Sequence, residues 1–277
     1  MWQLKVRAGN LASWLRHLTS VRGFHANISQ MLLMYRYHRT PFTTLLRNML
    51  DVLSRYEARF TFAVVASIAT GELLDLVRDG GHEIASHSLY HVKHRGLPFK
   101  TQMSYIKRSR ELLQVKGAAV QGFRAPYNSY DLNTFRCLDE LGFTYDAGVR
   151  RGEHFQGLSR PFHLIIDGAE SRFLSYPVSH LSDELLDKLP GKTVLKLFTR
   201  EIDEVPDDGV SVLQLHPVRV GQSFFLGFLD SLVDYSACRG FSMPTLTEVA
   251  EGKAELPAIC LSGDVDCLSF SDYMRRI

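Results

Sequence analysis

The sequence predicts an α/β fold on a parallel sheet, open or closed into a barrel, in a single domain spanning residues 1–277. Two observations carry that expectation. Short runs rich in β-branched and aromatic residues (RFTFAVVA, HEIASH, VQGFR, FTYDAGV, VSVLQLH) alternate with stretches whose apolar residues recur at helical spacing. The chain, 277 residues long and 45% hydrophobic, can bury one substantial core, and no linker, repeat or low-complexity segment divides it.

The elements follow in order. Thr40-Pro41 opens a helix, a hydroxyl cap followed by proline at the first helical position, and Phe42, Leu45, Leu46, Met49, Leu53 and Tyr56 then form one apolar face. RFTFAVVA reads as a strand covered on both sides. GELLDLVRDGG is a helix closed by Gly80 and Gly81, and HEIASH the next strand. A helix over about Lys100 to Val115 leads to VQGFR, and DLNTFRCLDELG leads to FTYDAGV. The stretch from Arg150 to Arg172 has no clear period and is expected to be a loop region. VSVLQLH and the helical SFFLGFLDSLVDYSA follow, and LPAICLSGDVD closes the series as an apolar run ending in two acids. In a parallel barrel the chemistry sits at the C-terminal ends of strands, which singles out His87, Arg124, Asp146 and His216.

Composition narrows the setting. No apolar run approaches the roughly 20 residues of a membrane span. The first residues lack the apolar core and small-residue cleavage site of an export signal, so a cytoplasmic location is expected. Cys137, Cys238, Cys260 and Cys267 form no CxxC pair, as expected of reduced thiols. Although the net charge is only +2, no Asp or Glu precedes Asp51, while Lys5, Arg7, Arg16, Arg22, Arg36 and Arg39 make residues 1–39 a basic arm. Such an arm is a solvated face, or a contact with phosphate or an anionic membrane surface. No nucleic-acid partner is expected.

His87 and His91 lie four apart just past a strand, a spacing that lets two imidazoles reach one cation but is weak evidence alone. Asp264 and Asp266 lie two apart at the end of a strand-like run and would face the same side; read alone, DVD is also a common solvated turn. GHEIASHSLYH, FRAPY at 123–127 and LQLHP at 213–217 each end a predicted strand, in that order. Together they resemble the polysaccharide deacetylase (NodB-homology) carbohydrate esterases over roughly residues 40–250.

The resemblance implies a distorted (β/α) barrel and a divalent cation, zinc first, with cobalt, nickel or iron also suited to two histidines and one carboxylate. The family's acidic pair precedes its histidines, yet SQMLLMYRYHRTP, which fills that place here, holds no carboxylate. The C-terminal DVD is the candidate replacement, so the chain reads as circularly permuted, its 257–277 strand filling the slot of the missing first strand.

On that reading His87, His91 and Asp266 hold the metal, Asp264 is the general base and His216 protonates the leaving amine. Arg124 orients and charge-pairs the base, or is an ordinary strand-end ion pair. Pro126 and Tyr127 shape the substrate groove, and Leu215 lines it or is a core leucine. The implied reaction removes the N-acetyl group of an amino sugar in a glycan or glycan precursor. The alternatives are an O-acetyl esterase on the same machinery and an inactive glycan-binding homologue whose DVD does not reach the histidines.

Overall fold

The computed structural model describes residues 21–150 and 159–276. Residues 1–20, most of the basic arm, lie outside them. The chain forms two compact units, one of residues 43–266 and one of the segments before Thr43 and after Asp266. In the smaller unit, α1 (Val21–Tyr37) meets α10 (Phe270–Arg276) through the rings of Tyr35 and Phe270, edge to face at 5.5 Å between centroids. The Ser269 hydroxyl caps α10 by accepting from the Asp272 N–H at 3.1 Å.

The larger unit opens with the rest of α2 (Phe42–Ser54). It then alternates β1 (Phe60–Val64), α3 (Gly71–Asp79), β2 (Glu83–Ser86), α4 (Phe99–Val115), β3 (Gly122–Phe123), α5 (Leu132–Leu141) and β4 (Tyr145–Asp146). β5 (Phe162–Ile166), β6 (Ala169–Ser175) and β7 (Val178–Ser182) follow, then α6 (Gly191–Asp203), β8 (Val210–Gln214), α7 (Pro217–Val220), α8 (Leu226–Cys238), α9 (Leu246–Ala250) and β9 (Ala258–Val265). Thr70 caps α3 by accepting from the Leu73 N–H, and Gly81, in the left-handed region at φ 73°, turns the chain out of it. Asp131 and Thr134 form a reciprocal capping box on α5.

The nine strands run in the order β5-β6-β4-β3-β2-β1-β9-β8-β7, all neighbours parallel except the β5–β6 hairpin. A single parallel bridge between Arg150 and Val178 links the chain just past β4 to β7, curling the sheet into a distorted, barrel-like form. β1, β8 and β9 are buried along their whole length, as expected of central parallel strands covered on both faces.

β9, last of the strands in sequence, is hydrogen-bonded between β1 and β8, with Ala63 opposite Asp264 and Gln214 opposite Ser262. Gly263 is required there. A Cβ at that position would lie 1.6 Å from the Leu215 carbonyl oxygen, so only glycine lets the tips of β8 and β9 close up beside Asp264.

One expectation fails. Arg150–Arg172 is not loop throughout, because β5 and much of β6 form an antiparallel hairpin on the edge of the sheet. β5 alternates half-buried and exposed positions, so its apolar FHLII has neither the continuous burial of the central strands nor a polar outer face. Its signal was the turn: Asp167-Gly168, both at positive φ (51° and 87°), is the dipeptide of a tight two-residue hairpin.

Candidate active site

Four strand ends deliver the polar groups. His87 and Arg124 each lie one residue past the end of β2 and β3, Asp264 is the penultimate residue of β9, and His216 lies two residues past β8. The tips lie side by side in the order β3, β2, β1, β9, β8, so residues far apart in sequence converge.

Asp264 is the hub. Its Oδ1 accepts from Arg124 Nη1 at 2.9 Å and its Oδ2 from Gln214 Nε2 at 3.0 Å. Arg124, only 1% exposed, spends its other donors on the Ala147 carbonyl (Nε, 2.7 Å) and the Ser262 hydroxyl (Nη2, 2.6 Å), which fixes the guanidinium plane. Burial by itself would raise the pKa of Asp264, but His87 when protonated, Arg124 and His216 pull it down to about 2, and with His87 neutral the charges of Arg124 and His216 remain to keep the carboxyl below the ordinary carboxylate range. Asp264 is therefore a buried carboxylate ionised at neutral pH.

Two imidazoles flank it in opposite states. His87 is fully buried, and its Nδ1 donates to the Arg124 carbonyl at 2.9 Å, which leaves the lone pair on Nε2. Burial lowers the pKa of His87 more than Asp264 and Asp266 raise it, so the ring is neutral. That Nε2 has no hydrogen-bond partner among the described residues and lies 3.7 Å from Asp264 Oδ2. On the other side His216 Nε2 lies 3.9 Å from the same oxygen.

His216 is clamped by Asp183, whose Oδ1 accepts from Nδ1 at 2.7 Å and whose Oδ2 accepts from the His216 backbone N–H at 2.7 Å. Burial pulls the pKa of His216 down, but the Asp183 charge and hydrogen bond win and raise it to about 9, so this imidazole is protonated at neutral pH. Asp183 is itself fully buried. Arg219 Nη1 donates to its Oδ1 at 3.2 Å and anchors to Asp187 through Nη2 at 2.9 Å.

His91 and Asp266 form the adjoining pair, Nε2 to Oδ2 at 3.6 Å, and the His91 ring centroid lies 5.2 Å from that of His87. Asp266 thus faces His91 while Asp264 lies between His87 and His216, and among the described residues no three His, Cys, Asp or Glu groups are drawn together as a formed metal cluster. Tyr127, about half exposed, sets its ring 4.1 Å from that of His91, the two planes tilted by 49°. Its backbone and that of Asn128 are left-handed, at φ 58° and 48°, a conformation rarely held by non-glycine residues away from functional sites. Pro126 and Leu215 are both buried.

Sequence reasoning missed Asp183, Gln214, Ser262 and Arg219. Gln214 had a signal, since it lies two residues before His216 at the end of a strand recognised as leading to the site. Asp183 had none: it opens a 3-10 turn, 33 positions from its histidine. Asp146, at the tip of β4, is fully buried, and burial raises it to about 7 against the Gly148 and Val149 N–H groups and the nearby charge of Arg124.

Residues 33–145 match the polysaccharide deacetylase family. No curated protein sequence matches significantly. Among solved structures, a protein described as a polysaccharide deacetylase from Mycobacterium smegmatis superposes with a TM-score of 0.65 at 22% identity, covering 85% of this chain and 84% of that one. A family 4 acetyl xylan esterase from Clostridium thermocellum with a bound cobalt ion gives 0.55 at 19%, covering 80% and 93%. A CE4 family pseudoenzyme from Bacillus anthracis gives 0.55 at 13%, covering 78% and 64%. These likenesses establish the fold, and since enzymes and a pseudoenzyme share it, function has to be argued from the site.

Proposed function

We propose that this chain is a metal-dependent deacetylase that hydrolyses the N-acetyl group of an amino sugar, and that it is circularly permuted, with β9 supplying the acids. One observation carries the reading: the Asp264 carboxylate, paired with the Arg124 guanidinium, lies between two imidazoles, 3.7 Å from His87 Nε2 and 3.9 Å from His216 Nε2, and a second buried carboxylate, Asp183, holds His216. Amide hydrolysis needs a base to deprotonate water and an acid to protonate the departing nitrogen, and groups held in opposite protonation states in one pocket supply both.

The donor set fits a divalent cation. His87 Nε2 is a buried nitrogen whose lone pair has no hydrogen-bond partner among the described residues, and a cation would supply the partner it lacks. His87, His91 and Asp266 would hold that ion, and when bound it would supply Lewis-acid polarisation of the acetyl carbonyl and acidify water. Zinc suits the set, and cobalt, nickel or iron can replace it.

The protein's own groups do the rest. Asp264 Oδ2 takes the proton from the water that attacks the acetyl carbon, and Arg124 keeps that carboxylate charged and aimed. His216 Nε2 delivers its proton to the amine as the C–N bond breaks, giving acetate and a free amino sugar. Asp183 holds His216 in the charged state required for that delivery. Tyr127 and Pro126 form the groove wall beside His91, while Leu215, buried behind His216, backs the site.

The test is acetate release from N-acetylglucosamine oligosaccharides by the full chain, alongside its metal content by elemental analysis. About one bound cation, lost in His87→Ala together with activity, is the expected result. Protein that carries its cation and releases no acetate from N-acetylated sugars would refute the reading, and release only from O-acetylated sugars would reassign it to an esterase.

A further inference from the structure

The surface beside the catalytic tips continues in a way that a free sugar does not need. Past Tyr127, Lys93 Nζ lies 5.7 Å from the ring centroid of that tyrosine. Two residues on, Arg95 Nε donates to the Tyr130 carbonyl at 3.1 Å and borders a cavity of about 340 Å³. Its walls are apolar: Tyr130, Leu132 and Phe135 at the start of α5 face Leu164, Ile165 and Ile166 of β5. Ile165 is 65% exposed and Leu132 44%, an arrangement that leaves hydrocarbon in water unless something covers it.

The charges are as telling as the apolar walls. Lys93 and Arg95 are exposed and neither is ion-paired among the described residues. The one carboxylate on the cavity wall, Asp131, is committed to the Gly96 and Thr134 N–H groups and to Gln102, which hold its pKa below the usual range although burial pushes it up. From the site outward the order is therefore reacting groups, an aromatic ring, two cations and an apolar groove.

We infer that the substrate is an amphiphile: an N-acetylated amino sugar joined through phosphate to a hydrocarbon chain, with the sugar at Asp264, the phosphate at Lys93 and Arg95, and the start of the chain in the cavity. Phosphate is the anion that lysine and arginine bind through charge-assisted hydrogen bonds, and a cavity of this size and lining takes a short stretch of hydrocarbon. This rests on the deacetylase reading above and names its substrate class.

The experiment compares deacetylation of N-acetylglucosamine linked through diphosphate to a farnesyl tail with that of the same sugar diphosphate lacking the tail, the free sugar and an octyl glycoside. Burying a few methylenes should raise kcat/KM at least about tenfold for the farnesyl compound over its tailless counterpart. Ile165→Glu should erase that gain and leave turnover of the free sugar unchanged, which also verifies its folding. Lys93→Gln with Arg95→Gln should cost the diphosphate compounds several-fold and the octyl glycoside nothing. Equal turnover with and without the tail, or a gain that survives Ile165→Glu, overturns the groove, and an octyl glycoside as good as the farnesyl compound overturns the phosphate contact. If no acetylated sugar is turned over, the deacetylase reading falls. Calorimetric binding of farnesyl diphosphate then decides the groove, with saturable binding lost in Ile165→Glu expected and no binding overturning it.

Discussion

The two halves of the site use the same device with the polarities exchanged. On the β3 side a buried arginine keeps a carboxylate charged, and on the β8 side a buried carboxylate keeps an imidazole charged. Arg124 helps keep Asp264 well below the ordinary carboxylate range, and Asp183 lifts His216 to about 9, so across the whole neutral range one group is ready to accept a proton and the other to give one. The difference lies in construction. The basic half is fixed by strand register, with Arg124 and Asp264 both at tips of hydrogen-bonded strands, whereas the acidic half depends on a 3-10 turn that reaches across to His216 and is itself anchored by Arg219.

Breaking the first half should cost most. Arg124→Met leaves Asp264 buried without its cation. The expected loss is about 3–5 kcal/mol of stability, read from urea unfolding, along with most of the activity. The sign with pH follows from the depressed carboxyl: the pair's contribution is complete above the ordinary value of about 3.9 and disappears as the pH falls towards 2, so the deficit of the variant narrows in acid. Asp264→Asn is gentler on the fold and should lower kcat by about 10²–10⁴-fold while the cation content stays at the wild-type level. Loss of the metal in that variant would mean that the two aspartates have the reverse roles.

Asp183→Asn tests the acidic half. Without the negative charge, burial and Arg219 carry His216 from about 9 to below its ordinary value of about 6.5, so the alkaline limb of the rate profile should move down with it. At pH 8 the variant should be more than about tenfold slower than the wild type, and the gap should narrow as the pH falls; a limb that does not move would show that His216 is not the acid. The smallest effect belongs to Gln214→Leu, which removes one neutral donor from Asp264 Oδ2 and leaves Arg124 in place. A loss of about fivefold in kcat/KM is expected, in keeping with a single hydrogen bond.

The same contrast explains what could be read from the sequence. Arg124, His87 and His216 stand at the ends of strands that announce themselves by apolar, β-branched runs, and Asp264 and Asp266 end another such run, so their common location follows from the rule that parallel strands present their C-terminal ends together. Asp183 stands in a polar stretch, HLSDELLDK, that reads as the start of a helix, and its bond to His216 exists only because β7 and β8 pair in parallel and bring the turn alongside. The β5–β6 hairpin was hidden for a related reason. As an edge element it carries half-buried and exposed apolar residues in alternation, a pattern that periodicity alone does not separate from loop. Ile165, its most exposed apolar residue, is also the residue on which the amphiphile proposal turns.

The position of β9 has a consequence for how the protein is made. Its residues emerge from the ribosome after every other strand, yet they fill the slot between β1 and β8. Until they arrive, β1 and β8, both buried along their whole length in the finished sheet, present open edges, and synthesis at about 5–20 residues per second makes that exposure last for many seconds. The last of the described strands therefore completes both the sheet and the pocket in one step.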